Sequence, residues 1–240
     1  MDIIKTLAKE LDRKEEHVSN VVTLLDEGNT VPFIARYRKE MHGTMDDQTI
    51  RTLADRLQYL RNLEERKKEV LSSIEAQGKL TEELRARIEG AETLAAVEDE
   101  YRPYKQKRRT RATIAREKGL EPLALLLFAQ EKDCPAPEEA AKEYIDEEKG
   151  VSSVEEALAG AGDIIAETIS DDAAVRGALR DYAMKCGDVC SEAAKKDPED
   201  TVYRNYYKFT CAVKTIPGHR VLALNRGEKE GVLKVWVDVP

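Results

Sequence analysis

Aromatic side chains are scarce in this 240-residue chain: one Trp, three Phe and nine Tyr make up 5% of it, whereas Asp, Glu, Lys and Arg make up 36%. That balance disfavours sandwiches and barrels and predicts a mainly α fold with much helical surface. Long apolar runs are missing as well. No stretch approaches the roughly 20 apolar residues of a membrane span. The opening MDIIKTLAKELD has neither the basic segment nor the cleavage pattern of an export signal. The expectation is a cytoplasmic protein with no membrane partner. Cysteine occurs only at 134, 186, 190 and 211, which without an export signal implies reduced thiols rather than a disulfide framework. Cys186 and Cys190 have a spacing that brings two thiols onto one helix face, but zinc takes four ligands, and His17, His42 and His219 follow no ligand spacing. Small core cysteines, no metal and no cofactor are the expectation. No Ser/His/Asp order, Walker loop or paired-carboxylate motif stands out, so no catalytic residue is assigned and no enzyme activity is expected.

Acids outnumber bases by 47 to 39, and the balance reverses in one place. Residues 101–118, YRPYKQKRRTRATIAREK, hold eight basic residues and one acid, a net +7 in a chain of formal charge −8. The remainder therefore carries about −15, an asymmetry that solubility alone does not require. Tyr101 and Tyr104 bracket Pro103, so planar rings and a stiff backbone precede the cations. Arg102, Lys105, Lys107, Arg108, Arg109, Arg111 and Arg116 are candidate phosphate contacts, and the two tyrosines are candidate stacking residues. The competing reading is intramolecular. Residues 119–172 contain fifteen acids against three lysines, and the strip can dock on them through bidentate arginine contacts.

Hydrophobic spacing organises the rest. Ile3, Ile4, Leu7 and Leu11, then Val18, Val21, Val22, Leu24 and Leu25, predict short helices stopped by Gly28 and Asn29. In VPFIARYRKE, Pro32 suits a first helical turn. Phe33, Ile34 and Tyr37 are expected to pack inward, leaving Arg36, Arg38 and Lys39 toward solvent as further candidate contacts. Helix, turn and basic helix give residues 1–45 a helix-turn-helix-like pattern, which helical hairpins of any all-helical fold also produce. Residues 46–77 read as one long amphipathic helix, with Asp46 and Asp47 at its start and Gly78 at its stop. Glu64 and Lys67 interrupt its stripe, which suits an intramolecular strut better than a coiled-coil seam. Thr81 caps a helix ending near Gly90, Pro122 opens the apolar LALLLFAQ helix, and Ser153 with Glu156 forms a capping box. Ser170 to Asp172 are expected to open the next helix. The small-residue run from Ala157 to Gly162 implies close approach of a neighbouring helix, since unrewarded helical glycines cost about 1 kcal/mol each. A phosphate loop is the sharper alternative, without a flanking strand to support it.

Beyond Lys195 the texture changes. Residues 206–213 and 232–239 alternate at period two around a helix-compatible stretch and are expected to pair as a short β-ribbon. Residues 1–195 are thus read as a helical domain, and 196–240 as a strand-helix-strand segment opening a further, truncated region, because a two-stranded ribbon alone is marginal.

Four stretches resemble the N-terminal region of the bacterial Tex transcription accessory proteins: TVPFIARYRKE at 30–40, YRPYKQKRRTRATIAREKGLEPLA at 101–124, ALAGAGDIIAETIS at 157–170 and IPGHRVLALNRGEKEGVL at 216–233. The resemblance implies a helical N-terminal part preceding an RNase H-like domain, helix-hairpin-helix elements and an OB-type RNA-binding domain. It implies kinship with a eukaryotic elongation factor that travels with RNA polymerase, and hence nucleic acid, RNA or DNA, and the transcription machinery as partners. In the family the basic motif usually reads KPKRRTRA, whereas Gln106 stands here where proline is expected. A protein-interaction scaffold that docks on RNA polymerase, or supports the other domains without touching nucleic acid, is the alternative.

Overall fold

The computed structural model describes residues 2–105, 109–131, 134–195 and 201–240. Its contacts divide the chain into two compact units, Met1–Lys105 and Gln106–Pro240. The fold is mainly α, with thirteen α-helices and one small antiparallel sheet among the described residues.

The first unit holds α1 (Ile3–Leu11), α2 (Glu15–Asp26), α3 (Val31–Tyr37), α4 (Lys39–His42), α5 (Asp47–Ala76), α6 (Glu82–Gly90) and α7 (Leu94–Tyr101). The 30 residues of α5 make a rod about 45 Å long at 1.5 Å per residue. Asp46 caps it by accepting the Thr49 N–H at 2.7 Å, and Gly78, at φ +67°, takes the left-handed turn that ends it. Ile50, Leu53, Leu57, Leu60, Leu63, Val70 and Ile74 form its buried stripe, against which α1, α2, α3, α6 and α7 pack. The rod is the strut expected from its periodicity. Lys67 does not break the stripe but occupies it, only 4% exposed, with its stem among apolar neighbours. Its ammonium donates to Glu64 Oε1 at 3.0 Å and to the Glu89 carbonyl, beside the end of α6, at 2.8 Å.

The expected inward packing of VPFIARY is corrected at two positions. Ile34 is fully buried, but Phe33 and Tyr37 are exposed. The two rings stand four residues apart and so share one helical face, at the edge of which Ile34 turns to the core.

In the second unit, α8 (Arg111–Glu117), α9 (Glu121–Ala129), α10 (Pro137–Lys142) and α11 (Val154–Asp171) enclose a core of Ala112, Ala115, Leu120, Leu123, Ala124, Ala140, Ala141, Val151, Ala157, Ala161 and Ile164. The predominance of alanine there lets helices lie close. Gly160 is part of the same packing: a Cβ on it would stand 2.4 Å from Leu120 Cδ1 and 3.3 Å from Ala115 Cβ. The small-residue run lies inside continuous α11, which removes the phosphate-loop reading. Of the LALLLFAQ helix, Leu123 and Ala124 reach the core but Leu125 and Phe128 remain exposed. Ser170 also lies within α11, and it is Asp172 that caps α12 (Ala173–Cys186), accepting the Val175 N–H at 2.8 Å.

The sheet corrects the two-stranded ribbon. Its strands β1 (Asp188–Ala193), β2 (Lys208–Ala212) and β3 (Leu233–Asp238) run in the order β2-β1-β3. The two expected strands never pair with each other, since both flank β1: Cys190 stands opposite Thr210 on one side and Trp236 on the other. Between β2 and β3 runs α13 (Gly218–Lys229), which packs on β3. Cys186 ends α12 and Cys190 lies in β1, so the helical spacing assumed for the two thiols does not hold. The cause is Gly187, where the chain turns extended. Its N–H donates to the Ala183 carbonyl at 2.8 Å, and a Cβ would stand 2.5 Å from that oxygen.

Candidate nucleic-acid interface

The basic strip is shared between the two units. In the first, α7 runs into a 3-10 turn over Arg102–Tyr104, where Pro103 tightens the chain. Both tyrosine rings are half-buried against the core of that unit. The Tyr101 hydroxyl lies 2.9 Å from Ser73 Oγ on α5, and the Tyr104 carbonyl accepts from Gln77 Nε2 at 3.1 Å. Arg66 and Lys105 stand over the Tyr101 ring at 5.5 and 5.4 Å. Both cations also contact Glu98: Arg66 Nε donates to it at 2.6 Å, and the Lys105 ammonium is paired with it. The Arg66 hydrogen bond, opposed by partial burial and reinforced by Lys105, holds the Glu98 carboxyl below its ordinary pKa. Tyr101, Tyr104 and Lys105 thus form a corner tied to α5 and α7, with Arg102 exposed at its edge.

Lys107 and Arg108 lie outside the described residues. In the second unit, Thr110 caps α8 by accepting the Thr113 N–H at 3.1 Å. Arg116, 34% exposed, donates to Glu167 on α11 at 2.6 Å and contacts Glu121 at 3.3 Å. Chiefly through the Glu167 hydrogen bond, these carboxylates raise its pKa further. Glu167 also accepts from Thr110 Oγ1 at 3.0 Å, so one carboxylate fastens both ends of α8 to α11. Arg111 reaches Asp163 at 3.5 Å, and Arg109 reaches Glu117 at 2.7 Å. Arg116 and Arg111 therefore meet the acidic helices as the intramolecular reading expected. They do so to different degrees, since Arg109 and Arg111 keep 68% and 86% of their side-chain surface in solvent. Exposed pairs of that kind contribute about 0–1 kcal/mol and yield readily to a competing anion.

The other predicted cations are placed differently. Arg36 lies near the end of α3, Arg38 breaks the helix with φ −129° and ψ 34°, and Lys39 opens α4. All three are exposed, and none forms an ion pair among the described residues. Beside them the Phe33 and Tyr37 rings touch, centroids 5.2 Å apart, and the Arg38 guanidinium stands 5.6 Å from the centre of the Phe33 ring. Sequence reasoning assigned these rings to the core. Their spacing with Ile34 fits a single apolar stripe about 100° wide, so no local signal marked the two rings as exposed.

Comparison with known proteins bears on both regions. The family model described as Tex-like protein N-terminal domain matches residues 1–75, and the one described as Tex central region-like matches 133–240. The chain belongs to the Tex family. It is similar to the transcriptional accessory protein Tex of Neisseria gonorrhoeae, with 46% identity over 98% of this chain and 31% of that protein. It is 48% identical to the uncharacterized protein YdcI of Bacillus subtilis, over 98% of this chain and 33% of the relative. A human protein named S1 RNA-binding domain-containing protein 1 is 29% identical over 99% of this chain and 24% of its own length. The chain thus spans about a third or less of the length of these relatives. Among the described residues, no helix is long and apolar enough to cross a membrane.

Proposed function

We propose that this chain is a nucleic-acid-contacting part of a transcription accessory protein, with Arg36, Arg38 and Lys39 as its principal phosphate contacts and no catalysis of its own. The observation that carries this reading is that these cations are exposed and lack a carboxylate partner among the described residues. The strip cations Lys105, Arg109, Arg111 and Arg116 each have one. Arg109 and Arg111 are the secondary contacts, because their exposure lets phosphate displace the carboxylate. The reading includes action in the cytoplasm beside RNA polymerase, and the name of the gonococcal relative, a transcriptional accessory protein, supports its transcriptional part.

The test is a titration of the 240-residue chain with single-stranded RNA and duplex DNA across a salt series. Replacing Arg36, Arg38 and Lys39 by Glu flattens the slope of log K against log salt by about 2–3 units, whereas Arg109→Glu/Arg111→Glu flattens it by less. Equal binding by wild type and the triple variant refutes the assignment. One observation favours a second reading, in which the chain is a scaffold for protein contacts: α12 buries none of its described side chains and exposes Val175, Leu179, Tyr182 and Met184. Absence of nucleic-acid binding at low salt supports that scaffold.

A further inference from the structure

We infer that the α3–α4 corner is a base-stacking platform selective for single-stranded nucleic acid, with Tyr37 as the ring that receives an unstacked base. This rests on the reading just proposed for Arg36, Arg38 and Lys39, and it adds the recognition element and the class of strand.

Three features of the corner lead there. Phe33, Arg36 and Tyr37 fall at positions i, i+3 and i+4 of α3 and share a face, beside the buried Ile34. The rings are exposed in a chain with only three phenylalanines, which locates them at the surface without any core requirement to explain them. Phe33 is already engaged, by Tyr37 on the same face and by the Arg38 guanidinium. Tyr37 is 63% exposed against 37% for Phe33, so it is the outer ring with surface to offer.

Charge selects the occupant. Residues 36–40 carry three cations and Glu40, and neither Glu40 nor any of the cations is ion-paired among the described residues. The corner is thus a net positive site around an aromatic face, complementary to a ligand with phosphate charge beside a planar apolar ring. A nucleotide chain has both. A duplex offers phosphates but keeps its base faces inside the stack, and its grooves present base edges instead. A single strand can turn a base out onto Tyr37 while neighbouring phosphates meet Arg36, Arg38 and Lys39. The seven residues of α3 also give little length for reading successive base edges in a major groove, which a helix-turn-helix use of this corner would need.

The experiment compares wild type, Tyr37→Ala, Tyr37→Phe and Arg36→Glu/Arg38→Glu/Lys39→Glu for binding to a 12-nucleotide RNA, an abasic strand of equal length, a 12-base-pair DNA duplex and an Asp/Glu-rich peptide. Tyr37 is exposed, so its substitution leaves the fold intact, and circular dichroism checks that it does. Tyr37→Ala weakens RNA binding by about 5- to 100-fold, the range for loss of one stacked base. Tyr37→Phe restores it. The abasic strand binds wild type and Tyr37→Ala alike, and the duplex is likewise insensitive to Tyr37→Ala. If Tyr37→Ala binds RNA as wild type does while the triple Glu variant does not, the platform is overturned and the phosphate reading stands. If neither variant changes RNA binding, both fall. Binding of the acidic peptide that is lost in Tyr37→Ala, with RNA binding unchanged, overturns the platform in favour of a protein partner.

Discussion

Two glycines on α11 form a controlled pair. Gly160 and Gly162 lie in the same helix, two residues apart, so Gly→Ala gains a similar intrinsic helix preference at each, about 1 kcal/mol. They differ in what the new methyl meets. At Gly162 nothing lies within 4 Å, and the gain is kept. At Gly160 the methyl enters within 2.4 Å of Leu120 Cδ1 and 3.3 Å of Ala115 Cβ, and both of those residues are buried. Leu120 is buried in the packed core and has to shift within it, and overpacking of this kind costs about 1–3 kcal/mol. Gly162→Ala should therefore stabilise by about 1 kcal/mol, and Gly160→Ala should leave stability unchanged or lower it by up to about 2 kcal/mol. For a unit of this size the gap corresponds to roughly 3–10 °C in melting temperature. Urea unfolding followed by circular dichroism measures it, and hydrogen exchange in α8 and α11 shows whether the loss is local. A Gly160→Ala protein stabilised as much as Gly162→Ala would refute the claim that α11 approaches α8 and α9 at contact distance.

Other substitutions probe the tethers around the candidate contacts. Lys67→Met keeps the buried stem but strands the Glu89 carbonyl, so urea unfolding should show a loss of about 1–3 kcal/mol. Glu167→Ala removes the acceptor shared by Arg116 and Thr110 and should cost a similar 1–3 kcal/mol, with hydrogen exchange rising first in α8. Because Arg66 lowers the folded pKa of Glu98, that carboxylate stabilises the protein above the ordinary glutamate pKa, about 4.3. The contribution is lost as pH falls through the lowered folded value. Glu98 is partly exposed, so Glu98→Gln should cost less than about 1 kcal/mol near neutrality and nothing once both states are protonated. Unfolding curves from pH 7 down through the carboxylate range check both outcomes: the difference between wild type and Glu98→Gln shrinks as pH falls.

Helix periodicity made most of the fold legible. The α5 rod was readable because Asp46, Gly78 and apolar positions recurring every three or four residues all point to the same element, and the caps Thr81 and Ser153 were equally local signals. What failed depended on distant partners. The strand VCSEA in β1 has too little alternation to announce itself, and it becomes a strand because Gly187 ends α12 and two later segments offer their edges. Phe33 and Tyr37 fit the same apolar stripe as Ile34 by spacing, and that only Ile34 meets the core depends on what packs against α3, which no local pattern shows. In the strip, the charge and the acidic stretch it meets were legible, but the individual pairs were not. Glu167 lies 51 residues from Arg116, and no local pattern links them. The corner at Arg36 carries less charge than the strip, yet among the described residues none of its three cations has a carboxylate partner, unlike Lys105, Arg109, Arg111 and Arg116.

The middle position of β1 has a consequence for the growing polypeptide. It is the earliest of the three strands to leave the ribosome, and its second neighbour is not complete until Asp238. At about 5–20 residues per second, those 45 intervening residues take roughly 2–9 s. Throughout that interval one or both flanks of β1 await a partner within the nascent chain. Ser191 and Glu192, too polar to invite a neighbouring nascent chain, suit a strand that has to wait.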